Sequence, residues 1–370
     1  MTAVRTFDIA VFPGDGVGRE VMAPCQTLVD QAVARHGGVR LRMTTHEAGA
    51  NEYRRSGLAL PEPAMEAARA ADAILLGAMG LPDVRYPDGT EIAPHLDLRE
   101  RLDLFAGVRP IRVLPGAPTP LADPRARQID CVLVREQTEG LFAGRMMSQR
   151  DGDAVLDTMR ISQRACDRLF AFAFDLARRR RAAGRPGRVT CVDKANVLPS
   201  MAFFRRLFLE EASRHPDIQA DCMYVDAAGL QLVRAPWMFD VLVTENMFGD
   251  ILSDVGAALV GGMGMAPSAD IGGRHAVFQP AHGSAPDIAG RGVANPTAMF
   301  LSGAMMLDWL GERHGVDACR RAGADLSRAV ARAFADGDLV TCENGGTADT
   351  ATVTARVHRA LDQVAACARE

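Results

Sequence analysis

Strand-like and helix-like segments alternate along the chain, and this alternation limits the possible folds more than any other feature. The apolar runs 7–12, 73–77 and 241–244 predict buried strands, and apolar spacing predicts amphipathic helices over 160–181 and 317–334. Such alternation is typical of an α/β protein with a largely parallel sheet. The sequence contains neither an internal repeat nor a flexible linker, so the pattern alone places no domain boundary.

The composition is ordinary for a soluble globular protein. Of the 370 residues, 48% are hydrophobic and 24% are charged. The apolar runs are far shorter than the ~20 residues of a membrane span, and residues 1–6 contain no apolar signal core. The formal net charge of -4 argues against nucleic acid as a partner. We therefore expect a cytoplasmic protein that binds neither nucleic acid nor membranes.

The 8 cysteines are scattered, without the paired spacing of a zinc site. In a chain of this length without a signal peptide they are predicted to be reduced and mostly buried thiols.

Lys194 is the one lysine among 42 lysine and arginine residues. A lysine kept against such a bias is a candidate for proton transfer, because burial can bring the pKa of an ammonium group towards neutrality. Chance survival of one lysine is the alternative, and the residue count does not separate the two.

Asp250 and Asp254 are four residues apart, which places both carboxylates on one face if this segment begins a helix. Like charges at that spacing repel each other, and a divalent cation would make the arrangement favourable. Asp226, at the end of a predicted strand, is a candidate third carboxylate. Oxygen ligands suit Mg²⁺ or Mn²⁺ and not zinc. Two solvated aspartates at a helix start are the alternative.

Arg99, Arg109 and Arg135 stand near the ends of predicted elements. A guanidinium group can bind a carboxylate through two hydrogen bonds. In a chain so rich in arginine, each could also be an ordinary surface residue.

Two glycine-containing loops could approach a ligand closely. Residues 14–18 lie between a strand and a helix, but they lack the glycine spacing and the later acidic residue of a Rossmann fingerprint. They predict a tight turn. Residues 282–287, followed by Asn295, could wrap a ligand with backbone amides or form a surface turn.

Five stretches, in this order along the chain, resemble the β-decarboxylating dehydrogenases, the family of the isocitrate and isopropylmalate dehydrogenases. They are residues 13–18, 104–110, 192–198, 248–254 and 280–290. The isopropylmalate and tartrate/D-malate dehydrogenases are the members that the chain resembles most.

The resemblance implies an α/β fold of two domains that share one long mixed sheet, and not a Rossmann fold. The larger domain would comprise residues 1–104 and 261–370 and carry an NAD loop. The smaller domain, residues 105–260, would carry the metal ligands and the dimer interface. A homodimer with shared active sites is implied as well.

The resemblance also gives roles to the charged residues. Arg99, Arg109 and Arg135 would bind the two carboxylates of a small hydroxy-dicarboxylic acid. Lys194 of the partner subunit would be the base that acts on the substrate hydroxyl.

The metal and cofactor sites follow from the same resemblance. Asp250 and Asp254, with Asp226 of the partner subunit, would hold Mg²⁺ or Mn²⁺, and Asp226 would also be catalytic. Residues of one loop and two asparagines would bind the cofactor: Asn196, His282, Gly283, Ser284, Ala285, Asp287 and Asn295. Because a carboxylate accepts hydrogen bonds from a ribose 2′-hydroxyl and repels a 2′-phosphate, Asp287 favours NAD over NADP.

Three positions depart from the family pattern. Phe142 stands where the family usually has a tyrosine that protonates the product of decarboxylation, so decarboxylation is expected to be impaired or rerouted. His95 lies in a segment more polar than the leucine-rich patch expected for an isopropyl group, and it faces either the substrate or solvent. Gln279 stands where the isopropylmalate enzymes commonly have glutamate.

The implied activity is NAD- and metal-dependent oxidation, with decarboxylation, of a 3-substituted malate such as 3-isopropylmalate. A tartrate/D-malate dehydrogenase is one alternative. A catalytically reduced regulatory or binding subunit is another, and Phe142 is its support.

Overall fold

A computed structural model describes residues 4–367 of the chain, except for the side chains of residues 145–147 and 365–367. The strands of the described residues are β1 (Arg5–Gly14), β2 (Val39–Thr45), β3 (Ala73–Ala78), β4 (Ala106–Arg112), β5 (Asp130–Glu136), β6 (Gln149–Asp151), β7 (Ala154–Leu156), β8 (Arg188–Asp193), β9 (Gln219–Tyr224), β10 (Val241–Thr244), β11 (Pro267–Ile271) and β12 (Ala276–Pro280).

The α-helices of the same part of the chain alternate with strands over much of its length, as the sequence predicts, but the last three follow one another without a strand between them. They are α1 (Val17–Ala34), α2 (Ala50–Ser56), α3 (Glu62–Ala70), α4 (Pro94–Arg101), α5 (Gln163–Ala182), α6 (Pro199–Ala212), α7 (Val225–Arg234), α8 (Asn246–Leu259), α9 (Thr297–His314), α10 (Asp317–Phe334) and α11 (Thr350–Cys367).

Ten of the strands form one sheet in the order β2-β1-β3-β12-β11-β4-β5-β10-β8-β9, and β6 pairs with β7 in a separate hairpin. The sheet is parallel towards both ends and antiparallel in the middle, where β11 pairs with β12 and β4, and β4 pairs with β5. The predicted α/β fold with one long mixed sheet is therefore confirmed. The sequence pattern missed β11 and β12, because both are short and carry polar residues and prolines.

The strands of the predicted larger domain occupy one half of this sheet and those of the predicted smaller domain occupy the other half. The two halves meet where β11 pairs with β4 in antiparallel register, from Ala269 opposite Val108 to Ile271 opposite Ala106. The division into two domains stays a prediction, since the sheet itself is continuous. Its central antiparallel strands place residues of both halves next to each other.

Aromatic side chains fill the core beside the second half of the sheet. Phe170 and Phe174 of α5 are fully buried against Phe204 and Phe208 of α6. The Phe170 and Phe204 ring centroids are 4.7 Å apart, edge to face. This packing fixes α6 against the sheet next to β8. Among the described residues, no helix combines the length and the apolar character needed to cross a membrane.

The turn after β1 is a close-packed structural element, as the sequence predicts. Asp15 is fully buried, and its carboxylate accepts backbone hydrogen bonds from Ala50, Asn51 and Gly80 at 2.7–2.9 Å. At Gly16, whose φ is 53°, a Cβ atom would lie 1.9 Å from the carbonyl oxygen of Ser284. The turn therefore packs directly against the 282–287 loop and supports it.

We expect Gly16→Ala to lower the free energy of unfolding by more than Gly37→Ala. Gly37 also has a positive φ, of 63°, but has open space around its Cβ position. Its substitution should cost only the conformational strain of about 1–2 kcal/mol. Gly16→Ala adds a backbone clash, and the cost should exceed that value in urea-induced unfolding followed by circular dichroism. Equal losses in the two variants would contradict the close packing of the turn on the loop.

Candidate active site

A polar cavity of about 180 Å³ opens beside the ends of β3, β4 and β5. Predicted site residues from five separate segments of the chain line it: His95, Arg99, Arg109, Arg135, Asp250, Asp254, His282 and Gly283. The structure thus brings together the three arginines and two of the three carboxylates that the sequence selected. His95 lies on the cavity wall, one turn before Arg99 on α4.

A buried carboxylate holds two of the arginines in place. The Nε atom of Arg99 donates to Oδ2 of Asp270 at 2.8 Å, and Nη1 of Arg109 lies 3.0 Å from Oδ1. The amide of Gln279 donates to the same carboxylate at 2.9 Å. Burial alone would raise the pKa of Asp270, but the charges of Arg99 and Arg109 outweigh burial and hold the pKa well below its usual range. Asp270 is therefore ionised under all ordinary conditions.

Arg135, at the end of β5, is fixed from the other side of the cavity. Its Nε and Nη2 atoms donate to Oδ1 of Asn246 at 3.0 and 2.7 Å, and Nη1 contacts Asp250. Burial and the neighbouring charge of Arg99 lower the pKa of Arg135 to about 10. At neutral pH the guanidinium group is still charged. The three arginines form a fixed, partly desolvated site for anions.

Helix α8 presents Asp250 and Asp254 to the cavity. The Glu245 side chain caps the helix by accepting from the backbone N–H groups of Met247 and Phe248. This cap fixes the first turn, so that the two aspartates lie one turn apart as the sequence predicts. Burial and the adjacent charge of Asp250 raise the pKa of Asp254. A carboxylate pair that carries this penalty without a cation fits an oxygen-ligated Mg²⁺ or Mn²⁺.

Lys194, Asp226 and Asn196 lie away from this cavity within one chain. Lys194 follows β8, and its Nζ atom is 3.0 Å from Oδ1 of Asp226. Asp226 lies in the first turn of α7 and not at the end of a strand, because β9 ends at Tyr224. Asn196 is exposed in the loop after Lys194. None of the three lines the cavity.

The sheet order explains this separation. β10 lies between β5, which carries Arg135, and β8, which leads to Lys194. At about 4.8 Å per strand, the two strands are about 10 Å apart. The hydrogen bond from Lys194 lowers the pKa of Asp226, whose side chain is 69% exposed. One chain therefore carries two separate sets of charged residues at the same edge of the sheet. One set lines the polar cavity, and the other is Lys194 with Asp226.

A second cavity of about 310 Å³, mostly apolar, adjoins the first at His282, which lines both. Ala285 and Asn295 also line it. The Glu343 carboxylate accepts hydrogen bonds from Gly264 N at 3.0 Å and Asn295 Nδ2 at 3.1 Å. Burial lowers the pKa of His282, so its ring is neutral at pH 7. A mostly apolar cavity with an imidazole, the Asn295 amide and the Glu343 carboxylate on its wall fits an aromatic base and its ribose.

The remaining loop residues have different positions. Ser284 is buried, and its Oγ donates to Gly80 O at 2.5 Å while its carbonyl accepts from Val17 N at 2.8 Å. It fastens the loop and lines neither cavity. Asp287 is exposed on the same loop and lines neither cavity. Ala285 has a φ of 37°, a left-handed conformation for a residue with a side chain, directly at the apolar cavity.

Residues 8–357 match the family model described as isocitrate/isopropylmalate dehydrogenase. The chain belongs to this family. A 3-isopropylmalate/3-methylmalate dehydrogenase of Methanocaldococcus jannaschii is 43% identical over 85% of this chain and 89% of its own length. A 3-isopropylmalate dehydrogenase of Salinibacter ruber is 42% identical over 88% of this chain and 92% of its own.

The fold is similar to that of a solved family member. The crystal structure of isocitrate dehydrogenase from Methylococcus capsulatus has a TM-score of 0.82 and 35% sequence identity, covering 96% of this chain and 99% of that one. The predicted family and the prediction of a dehydrogenase are confirmed. The roles of individual residues in this member of the isocitrate/isopropylmalate dehydrogenase family remain predictions.

Phe142 lies at the edge of the arginine cluster. Its ring centroid is 5.5 Å from Cζ of Arg135, within the range of a cation–π contact. With Leu96, Arg99 and Arg135 it lines a small cavity of about 60 Å³ next to the polar one. The position at which the resemblance leads us to expect a tyrosine therefore has an apolar ring close to the arginines of the polar cavity.

Sequence reasoning missed two carboxylates that organise the site. Asp270 could have been suspected only if β11 had been recognised, because a charged residue inside a buried strand requires a partner. Glu343 comes from a segment with no motif, and nothing in the sequence connects it with Asn295. The predicted state of the cysteines is confirmed where the structure describes them: seven are free thiols and five of these are buried.

Asp270→Asn should lower the free energy of unfolding by about 3 kcal/mol near neutral pH, because it leaves two buried guanidinium groups without their counter-charge. Since the folded pKa of Asp270 lies below its usual value, the carboxylate stabilises the fold above about pH 4 and loses this effect as the pH falls further. The difference between the wild type and the variant should thus shrink from about pH 5 to about pH 3.

Urea titrations at several pH values measure this difference. Asp338→Asn is the matched control, since Asp338 also pairs with an arginine, Arg356, but is exposed. It should change stability little. A variant at Asp270 that is as stable as the control at neutral pH would contradict the structural role of the buried carboxylate.

Proposed function

We propose that this enzyme oxidises a 3-substituted malate such as 3-isopropylmalate, with release of CO₂, using NAD and a divalent cation, Mg²⁺ or Mn²⁺. The observation that carries the proposal is the polar cavity, in which Arg99, Arg109 and Arg135 stand opposite Asp250 and Asp254. The names of the relatives from Methanocaldococcus jannaschii and Salinibacter ruber support the same substrate class.

The charges of the cavity support a dicarboxylate bound together with a divalent cation. The three arginines are offset by three carboxylates, those of Asp250 and Asp254 in the cavity wall and that of Asp270 behind it. The protein alone is therefore close to neutral here. A divalent cation adds two positive charges, which match the two negative charges of a malate-like dicarboxylate.

The residues of this chain would bind and orient the substrate and move its protons. The arginines hold both carboxylates, which fixes C2 and its hydroxyl relative to Asp250 and Asp254. In its neutral amine form Lys194 would take the proton of the hydroxyl, and its contact with Asp226 holds the side chain in position. When bound, the cation would supply Lewis-acid polarisation and the nicotinamide would accept hydride.

The apolar cavity supports the cofactor assignment. Its wall continues into the polar cavity through His282, so that a bound dinucleotide could extend from one to the other. Asn295 would contact the adenosine half, and the exposed Asp287 would disfavour a 2′-phosphate. Asn196 would approach the nicotinamide or substrate from the partner subunit. We accordingly propose NAD and not NADP as the cofactor.

A homodimer would unite the two separate charged groups. Apolar side chains on α7 and α8 support it: Leu230 is 53%, Val233 52% and Ile251 57% exposed in the single chain. Asp226 and Asp250 stand on these same two helices. Pairing of the helices with a second copy would cover the apolar residues and bring Lys194 and Asp226 of the partner subunit towards the cavity.

The direct test is NADH formation at 340 nm with Mg²⁺ or Mn²⁺, using 3-isopropylmalate, D-malate, tartrate, isocitrate and homoisocitrate, with CO₂ measured in the same samples. Turnover of an alkylmalate with NAD and not with NADP is expected. Faster turnover of D-malate or tartrate would favour the second candidate, which His95 in the cavity wall supports. No turnover with any of these, despite metal binding, would indicate a regulatory subunit.

Shared active sites predict complementation between two inactive variants. Lys194→Met and Asp254→Asn should each lose nearly all activity. Mixed after unfolding and refolding together, they form heterodimers in which one of the two sites is intact, so about a quarter of wild-type activity should return. Each variant refolded alone is the control. Activity in the mixture no higher than the sum of the controls would contradict a site shared between subunits.

Phe142→Tyr tests the protonation step. If decarboxylation is limited by the missing hydroxyl, the variant should release CO₂ faster by on the order of 100-fold, the usual contribution of a general acid. Phe203→Tyr is the control, because Phe203 also packs beneath an arginine, Arg206, but lies on α6 outside the cavities. An unchanged rate and product ratio in Phe142→Tyr would count against the hypothesis of impaired or rerouted decarboxylation.

A further inference from the structure

Two cysteines lie directly opposite each other on β8 and β9. Cys191 and Cys222 are register partners of this parallel pair, and both are free thiols. Neighbouring strands are about 4.8 Å apart, which is within the Cα spacing that a disulfide accepts. The two sulfur atoms and a carboxylate oxygen of Asp193 all lie within 4.8 Å of one another. The fold has thus brought together two cysteines that are 31 positions apart in the sequence.

The two thiols have different environments. Cys191 is fully buried, and its Sγ lies 3.7 Å from Oδ2 of Asp193, to which it donates a hydrogen bond. Burial raises the pKa of Cys191 well above its usual value. Cys222 is partly exposed on the edge strand of the sheet. The neighbouring Cys191 thiol and the positive charge of Arg205 lower the pKa of Cys222.

A metal ion is disfavoured at this cluster. Nε of Arg205 donates to Oδ2 of Asp193 at 2.7 Å and Nη2 donates to Oδ1 at 2.8 Å. The guanidinium group therefore occupies the position beside the carboxylate that a cation would take. The arrangement has the features of a redox-active dithiol: an accessible thiol near a positive charge and a buried thiol that can resolve its first product.

We propose that Cys222 and Cys191 form a thiol modification site that reacts with low-molecular-weight disulfides. The Cys222 thiolate attacks one sulfur of the reagent, which forms a mixed disulfide and releases the first reagent thiolate. The Cys191 thiolate then attacks the Cys222 sulfur and releases the second. The cysteine pair is oxidised to a disulfide, the reagent is reduced to two thiols, and the two thiol protons of the pair end on the released thiols.

The disulfide would affect the part of the proposed active site that contains Lys194. Cys191 lies on β8, three residues before Lys194, which follows the strand. Cys222 lies on β9, four residues before Asp226, which follows that strand. Asp193 positions the loop that contains Lys194, since its Oδ1 also accepts the backbone N–H of Ala195 at 2.8 Å. A disulfide withdraws Cys191 from Asp193 and ties the two strands together. This consequence rests on the proposed function of Lys194.

The test treats the complete protein with oxidised glutathione and maps the cysteines by mass spectrometry after blocking free thiols. The expected product is a Cys191–Cys222 disulfide that dithiothreitol reverses. Cys191→Ser should instead accumulate glutathione bound to Cys222, and Cys222→Ser should lose the reaction. Cys342, which is also partly exposed, is the internal reference. Modification of Cys342 as fast as Cys222, or a wild-type reaction that ends at the mixed disulfide, would overturn the proposal.

Activity is measured separately on the same samples. The disulfide should lower kcat by on the order of 10- to 100-fold, the effect of a displaced catalytic group, and dithiothreitol should restore it. Cys222→Ser should keep its basal activity and resist oxidised glutathione. Full activity of the disulfide form would overturn the effect on Lys194. If no substrate is turned over at all, the proposed function fails, and the mass measurement still decides whether the modification site exists.

Discussion

The ion pairs of Asp270 with Arg99 and Arg109 hold the centre of the molecule together. They join α4, β4 and β11, and β4 and β11 are the strands at which the two halves of the sheet meet. Three buried charges would be costly if any one lacked its partner. Their mutual pairing therefore fixes two guanidinium groups, while a third, that of Arg135, is held by Asn246 and Asp250. The anion-binding surface is rigid before a substrate arrives.

Fixed cationic groups next to a carboxylate pair explain why one small cavity could hold a dicarboxylate and a divalent cation together. The proposed proton-transfer group is not in the same place. Lys194 and Asp226 follow strands further along the sheet, separated from Arg135 by β10. The chain therefore carries two incomplete sets of groups, which a second copy can complete. Oxidation of Cys191 and Cys222 would affect the set that contains Lys194 and leave the arginines unaffected.

The proposed cofactor region depends on close backbone packing. Gly16 allows the turn after β1 to lie against Ser284, and Asp15 binds three backbone N–H groups of neighbouring segments. This support holds the 282–287 loop where His282 can line both cavities. The turn resembles a nucleotide fingerprint in its glycine content, but its function here is to carry the loop.

The sequence by itself determined the α/β class, the family and the arginine and aspartate residues that line the polar cavity. It did so because alternating apolar periods depend on local spacing, and because Asp250 and Asp254 share a face wherever α8 forms. Only the tertiary structure decided which charges are paired. Asp270 meets its arginines across 171 and 161 sequence positions, and Cys191 meets Cys222 only because β8 and β9 are neighbours in the sheet. Such long-range contacts depend on strand order and register, which local sequence patterns do not specify.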